Sequence, residues 1–184
     1  MHVISRDSPC YYLTSVTKDR LHVFRTDEVK TVVCKALDEA RNSGEFSLYA
    51  YVIMVDHLHI ITDSVLKPSK TLQFVNGIVS RRVIDYLKDG GYETSLRKLE
   101  HGIGRRQRRY SLWDRHPDAR LLLTEEMLMQ RVNYTHMNPV RAGLVERPED
   151  YRWSSARIWA GNPLEDERLL MDLDRIRWRR SVAP

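Results

Sequence analysis

Two histidines one residue apart, His57 and His59, lie in the apolar run from Tyr51 to Thr62. Side chains on a strand alternate faces with a period of two, so both imidazoles point the same way, about 7 Å apart along the strand, with Leu58 turned to the opposite face. Two imidazoles on a rigid element can share a divalent cation; they can equally be half-buried histidines hydrogen-bonded within a sheet. A second group follows a helical spacing: Met127, Arg131, Tyr134 and Asn138, at i, i+4, i+7 and i+11, share one helix face. A third is basic, Arg105, Arg106, Arg108 and Arg109, with Tyr92, Tyr110 and Trp113 nearby. It reads either as a solvated charge run or as a contact for nucleic acid, in which cations meet phosphates and rings offer stacking surfaces.

The elements that must position these groups follow from the apolar spacing. Residues 10–17 are aromatic and β-branched, as in a first strand. Val29, Val32, Val33, Ala36, Leu37 and Ala40 recur at helical intervals, with Thr26 as N-cap and Asn42-Ser43-Gly44 as the stop. The apolar run 46–62 is too long for one strand, and Asp56 within it predicts a tight hairpin near Val55-Asp56, so that the histidines begin the outgoing strand. Leu72, Val75, Val79 and Val83 mark a second helix to about Lys88, closed by Gly90-Gly91, with Arg81 and Arg82 on its polar side. The segment 90–110 predicts an exposed, mobile loop, and 110–113 a short fourth strand. Thr124 caps the tyrosine helix, Glu125 and Glu126 favour its dipole, Leu128, Val132 and Thr135 form its apolar stripe, and Pro139 predicts its end near Asn138. A short helix near Ala156–Trp159 and a charged tail over 165–180, with one more short helix, complete the chain.

A chain of 184 residues fits one domain with an appendage. No apolar run approaches the roughly 20 residues of a membrane span, and the first residues lack the basic start and apolar block of a signal peptide, so a cytoplasmic location is expected. Cys10 and Cys34 supply neither a disulfide framework nor a thiolate zinc knot and read as packing residues. The net charge of +5 favours a polyanionic partner, although a charge this modest can equally belong to an ordinary solvated surface.

The string Tyr134-Thr135-His136-Met137-Asn138-Pro139-Val140-Arg141-Ala142-Gly143-Leu144-Val145, continued by Arg147-Pro148-Glu149-Asp150-Tyr151-Arg152-Trp153-Ser154-Ser155, resembles the signature of the REP-associated tyrosine transposases, and His57-Leu58-His59 matches the other motif of these HUH (His-hydrophobe-His) single-tyrosine enzymes. The resemblance spans residues 11–159. It implies an α+β fold, a ferredoxin-like βαββαβ antiparallel sheet with an added C-terminal helix carrying the tyrosine, over residues 1–160, followed by the tail 161–184. It further implies that Tyr134 is the nucleophile for metal-dependent cleavage and rejoining of single-stranded DNA at or near palindromic hairpins, through a 5′-phosphotyrosine, and that His57, His59 and Asn138 bind Mg²⁺ or Mn²⁺. Arg81, Arg82, Arg105, Arg106, Arg108, Arg109 and Arg141 become candidate DNA contacts. Such a protein would act in a bacterial cytoplasm, at the nucleoid, as a monomer or a homodimer.

The alternative is a domesticated hairpin-binding protein with no cutting role, which would not need all four of His57, His59, Tyr134 and Asn138. His136, two positions from Tyr134 and so turned away from it, is expected in a structural hydrogen bond, and Trp153, Ser154 and Ser155 in packing the helix end. The chain departs from the family at Val55-Asp56, where relatives often carry Pro-Asn, at Thr135, where isoleucine is common, and in an expanded 90–110 segment.

Overall fold

The computed structural model describes residues 2–101 and 110–178. Four strands, β1 (Cys10–Val16), β2 (Leu48–Ile53), β3 (His57–Thr62) and β4 (Asp118–Leu122), pair in the order β2-β3-β1-β4, every neighbour antiparallel. With helices α1 (Asp27–Gly44) and α2 (Pro68–Asp89) as the crossovers, this is the ferredoxin-like arrangement expected, with β1 and β3 at its centre. Both faces of the sheet are covered. Tyr11, Leu13, Leu58 and Ile60 pack with α1 and α2 on one face, while Tyr12 and Ile61 pack on the other with Leu128 and Val132 of α4 (Glu125–Arg141). That double burial explains why β2 is buried at every position and reads as a continuous apolar run instead of an alternating one.

The caps behave as local chemistry requires. Thr26 accepts from the Val29 amide at 3.4 Å at the start of α1, and Thr124 accepts from the Met127 amide at 3.2 Å at the start of α4. The first helix runs through Gly44, and Glu45, not the glycine, takes the left-handed closing position at φ 53°. Gly44 is needed for space: a Cβ there would lie 2.8 Å from the Phe46 ring.

Four expectations are corrected, the last of them in the tail. Residues 110–113 form no strand; Tyr110 and Trp113 make single bridges to Glu100 and Thr17, and the fourth strand is β4. Four of its five residues are exposed and two are charged, the blunted composition of an edge strand, so no apolar pattern announces it. The 90–110 segment is not simply a loop: α3 (Glu93–Leu99) occupies part of it and buries Leu96 and Leu99 in the core. The tyrosine helix does not end at Asn138 but continues through Pro139 to Arg141. Proline removes one amide from the ladder, and the Asn138 side-chain amide reaches the carbonyls of Tyr134 at 2.8 Å and Thr135 at 3.4 Å, so the Thr135 carbonyl that Pro139 would have served is not orphaned.

A short α5 (Ala156–Trp159) forms where expected. Among the described residues the tail holds a single 3₁₀ turn, at Leu173–Arg175, in place of the expected helix. It folds back on the body through Arg157–Glu167 at 3.0 Å, Arg41–Asp172 at 3.2 Å, and a bridge from Ile176 to His2.

Candidate active site

Strand β3 is paired on both edges, so the backbone under His57 and His59 is fixed from both sides. Their rings share one face as the period of two requires, with centroids 4.9 Å apart and planes at 72°. The register sets Thr14 of β1 directly opposite His59, with Tyr12 on the same face two residues along. Both hydroxyls close on His59 Nδ1, Tyr12 at 2.8 Å and Thr14 at 2.9 Å. Around the hairpin turn, His57 Nδ1 lies 2.6 Å from Asp56 Oδ1, while Arg20 donates to Asp56 Oδ2 at 3.2 Å.

These partners fix how the imidazoles face the site. Burial alone would raise the Asp56 carboxyl, but the hydrogen bond and charge of His57, then those of Arg20, outweigh it and hold the carboxyl below its ordinary value. An ionised carboxylate only accepts, so His57 donates from Nδ1. Burial, with the charges of His57 and Arg131 in support, lowers His59 to about 3, which keeps it neutral near pH 7. Burial likewise raises Tyr12 to about 12 and keeps it a phenol. The tautomer with the His59 proton on Nδ1, shared between the two hydroxyl oxygens, would leave Nε2 as a lone pair toward the site, and the Asp56 contact turns Nε2 of His57 the same way. Neutral imidazoles anchored through Nδ1 are what a divalent cation needs as ligands. Among the described residues no cluster of three His, Cys, Asp or Glu forms, so further ligands would be oxygen donors of another kind.

Helix α4 crosses the same face. Leu128 and Val132, at 0% and 3% exposure, anchor it, each contributing roughly 1.5–3 kcal/mol by burial, far more than any surface contact of the tyrosine. Tyr134 is 38% exposed, with its ring 6.1 Å from that of His59 and 6.2 Å from that of Tyr12. The Arg141 guanidinium lies 4.7 Å from the Tyr134 centroid, and that of Arg131 lies 5.6 Å from it and 5.4 Å from Tyr12. The Tyr134 ring therefore stands between the His59 imidazole and two permanent cations. Asn138 holds its Nδ2 against its own helix, and among the described residues Oδ1, the metal-competent end of an amide, has no hydrogen-bond partner.

The remaining sequence candidates separate. His136 turns to the buried side, with Nε2 2.9 Å from Ser155 Oγ and its pKa lowered to about 4 by burial. Trp153 donates to Asp27 at 2.9 Å, and Ser154 and Ser155 are fully buried, so this stretch packs the helix end as expected. Arg81 and Arg82 lie on α2, across the sheet from Tyr134, and Arg82 is engaged bidentately by Glu39 at 2.7 and 2.8 Å. Of the expected stacking rings, Trp113 is not free: it donates to the Asn76 carbonyl at 2.9 Å and packs on Phe24. Arg105, Arg106, Arg108 and Arg109 lie outside the described residues. Tyr12, Thr14 and the pairing of Asp56 with His57 escape a reading of the sequence; only the β1–β3 register brings the two hydroxyls to His59.

Residues 7–94 match the family described as Transposase IS200 like. The match spans β1 to α2 and includes both histidines but stops short of Tyr134. Among solved structures, the chain is similar to a REP-associated tyrosine transposase bound to a REP hairpin, at TM-score 0.58 and 13% identity, over 88% of this chain and 85% of that one. At that identity the likeness concerns the fold. It also has a looser likeness to a protein of Deinococcus radiodurans R1 proposed to be a transposase, at TM-score 0.47 and 20% identity, over 69% of this chain and 88% of that one. No curated protein matches the sequence. Among the described residues no helix is long and apolar enough to cross a membrane.

Proposed function

We propose that this protein cuts and rejoins single-stranded DNA at or near a hairpin, with Tyr134 as nucleophile. The observation that carries the reading is one face of the sheet on which two imidazoles are anchored through Nδ1, with His59 standing 6.1 Å, ring to ring, from a tyrosine flanked by Arg131 and Arg141. His57 and His59 through Nε2, with Asn138 through Oδ1, would hold Mg²⁺ or Mn²⁺, which when bound supplies charge to polarise the scissile phosphate. The Tyr134 oxygen attacks phosphorus in line, a tyrosine–phosphate bond to the 5′ side forms, and the bond to the 3′ oxygen breaks. The phenol gives up one proton and the leaving 3′ oxygen gains one, so the exchange consumes neither water nor ATP, and rejoining is its reverse. Arg131 and Arg141 offset the charge of the phenolate and bind phosphate oxygens. The hairpin as partner is carried over from the fold neighbour solved with one, and the net charge of +5 suits it.

The test is incubation of the wild type and of Tyr134→Phe with labelled single-stranded hairpins from the gene's flanking palindromes and Mn²⁺. The expected result is an adduct that survives denaturant with the wild type alone. No adduct from the wild type, or an equal one from the variant, would end this reading.

A further inference from the structure

On the other side of the 54–56 turn from His59, the loop 20–29, the end of α2 and α3 enclose a cleft of about 600 Å³. Tyr86 and Tyr92 line it, stacked at 5.7 Å with planes 22° apart, Leu87 lies in its floor, and Arg20, Arg25 and Lys98 stand on its rim against one acid, Glu28. Tyr92 is 47% exposed, and neither Arg25 nor Lys98 has an ion pair among the described residues.

The cleft is wired to the candidate active site. Arg20 lines it and also holds Asp56, whose other oxygen holds His57 at 2.6 Å. Asp19 and Arg20 both sit at φ 52°, in the left-handed region that non-glycine residues avoid. Strain of that kind persists only where surrounding contacts impose it, and here it turns the Arg20 guanidinium between cleft and turn.

We propose that this cleft takes one nucleotide of the single strand that leads to the scissile phosphate, its base against Tyr92 and its phosphate held by Arg20, Arg25 and Lys98. The inference rests on the single-strand DNA reading of the site. An inorganic anion would need neither the stacked rings nor the apolar floor, and the volume fits a group of nucleotide size. Stacking on tyrosine accepts any base, so the cleft gives grip with little sequence preference.

The test uses the Tyr134→Phe protein, so that cutting is not required, and a mixed-sequence single-stranded oligonucleotide carrying 5-iodouracil at successive positions. Photocrosslinks are expected on Tyr86 or Tyr92 from one position. Tyr92→Ala should weaken binding roughly tenfold while Tyr92→Phe, which keeps the ring, binds as its parent does. Arg25→Ala with Lys98→Ala should reduce the slope of log K against log salt by about 0.7, the share of one phosphate contact. Crosslinks that avoid both tyrosines, undiminished binding by Tyr92→Ala, or an unchanged salt slope would each overturn the proposal. If the Tyr134-intact protein crosslinks at Tyr92 yet never cuts, the cleft stands and the cutting reading falls; if it cuts without crosslinking there, the cleft alone falls.

Discussion

Strand β3 carries two candidate groups and helix α4 two more, and the two elements hold them in opposite ways. Both histidines sit on a doubly paired strand, each with Nδ1 engaged, His57 by Asp56 and His59 by Tyr12 and Thr14. Tyr134 is 38% exposed, and among the described residues its contacts are faces and edges of rings and guanidiniums, none of them a hydrogen bond to its hydroxyl. The helix under it is nonetheless fixed, by Leu128 and Val132 and by the Asn138 brace across the proline. Ligands of a metal need geometry held to about half an ångström, whereas a nucleophile that must meet, carry and release a strand needs a side chain free to move on a fixed backbone.

The sharpest way to break that comparison is to remove one member of each pair. Tyr134→Phe should abolish the covalent adduct while leaving stability within about 0.5 kcal/mol, since it deletes an exposed hydroxyl without a bonded partner. His59→Ala should abolish the adduct and also cost on the order of 2–3 kcal/mol in chemical denaturation, because it empties a buried position and strands the Tyr12 hydroxyl. Equal losses of stability from the two variants would erase the distinction.

The next effect is on pH. His59 and His136 are lowered to about 3 and about 4, and His2 is also lowered, in each case chiefly by burial. The unfolded chain therefore takes up protons near pH 6.5 that the folded chain refuses. Stability is full above that pH and falls as pH drops, by about 1.4 kcal/mol per pH unit for each buried histidine, until the folded values are reached. Denaturant midpoints between pH 7 and 5 should show the fall, and His136→Gln should flatten the slope by the share of one histidine. A flat profile would mean that the imidazoles are not held neutral.

Much of this was legible in the chain itself, and the misses have physical causes. The central strands, both crossover helices and the hairpin that starts β3 at His57 follow from apolar spacing and caps that act within a few residues. β4 escaped because an exposed edge strand carries no apolar pattern, and the end of α4 was misjudged because a proline rule ignores the side chain that replaces its amide. The histidine pair and the tyrosine were visible as motifs, but their supports were not: Tyr12 and Thr14 lie 47 and 45 residues from His59 in sequence, and register is a property of the folded sheet.

A smaller effect sharpens the strand half of the comparison. Asp56 stands where relatives of the resembled family often carry asparagine, and Asp56→Asn would keep an acceptor for His57 while removing the charge and the grip of Arg20. Titration with Mn²⁺ should show affinity reduced about 10- to 100-fold, with adduct formation recovered at higher Mn²⁺. Unchanged affinity would make Asp56 a turn residue and nothing more.

The least costly changes probe the tautomer on which metal binding depends. Tyr12→Phe and Thr14→Val should each cost about 1 kcal/mol or less, because the His59 Nδ1–H keeps the other oxygen, whereas the double variant leaves it buried and unpaired and should cost more than the sum. Long-range ¹H–¹⁵N spectra give the decisive reading: the His59 proton is expected on Nδ1 in the wild type and partly on Nε2 in the double variant. A wild-type proton on Nε2 would mean that the two hydroxyls present the wrong nitrogen, and His59 would then be a buried polar residue of the sheet and not an anchor for a cation.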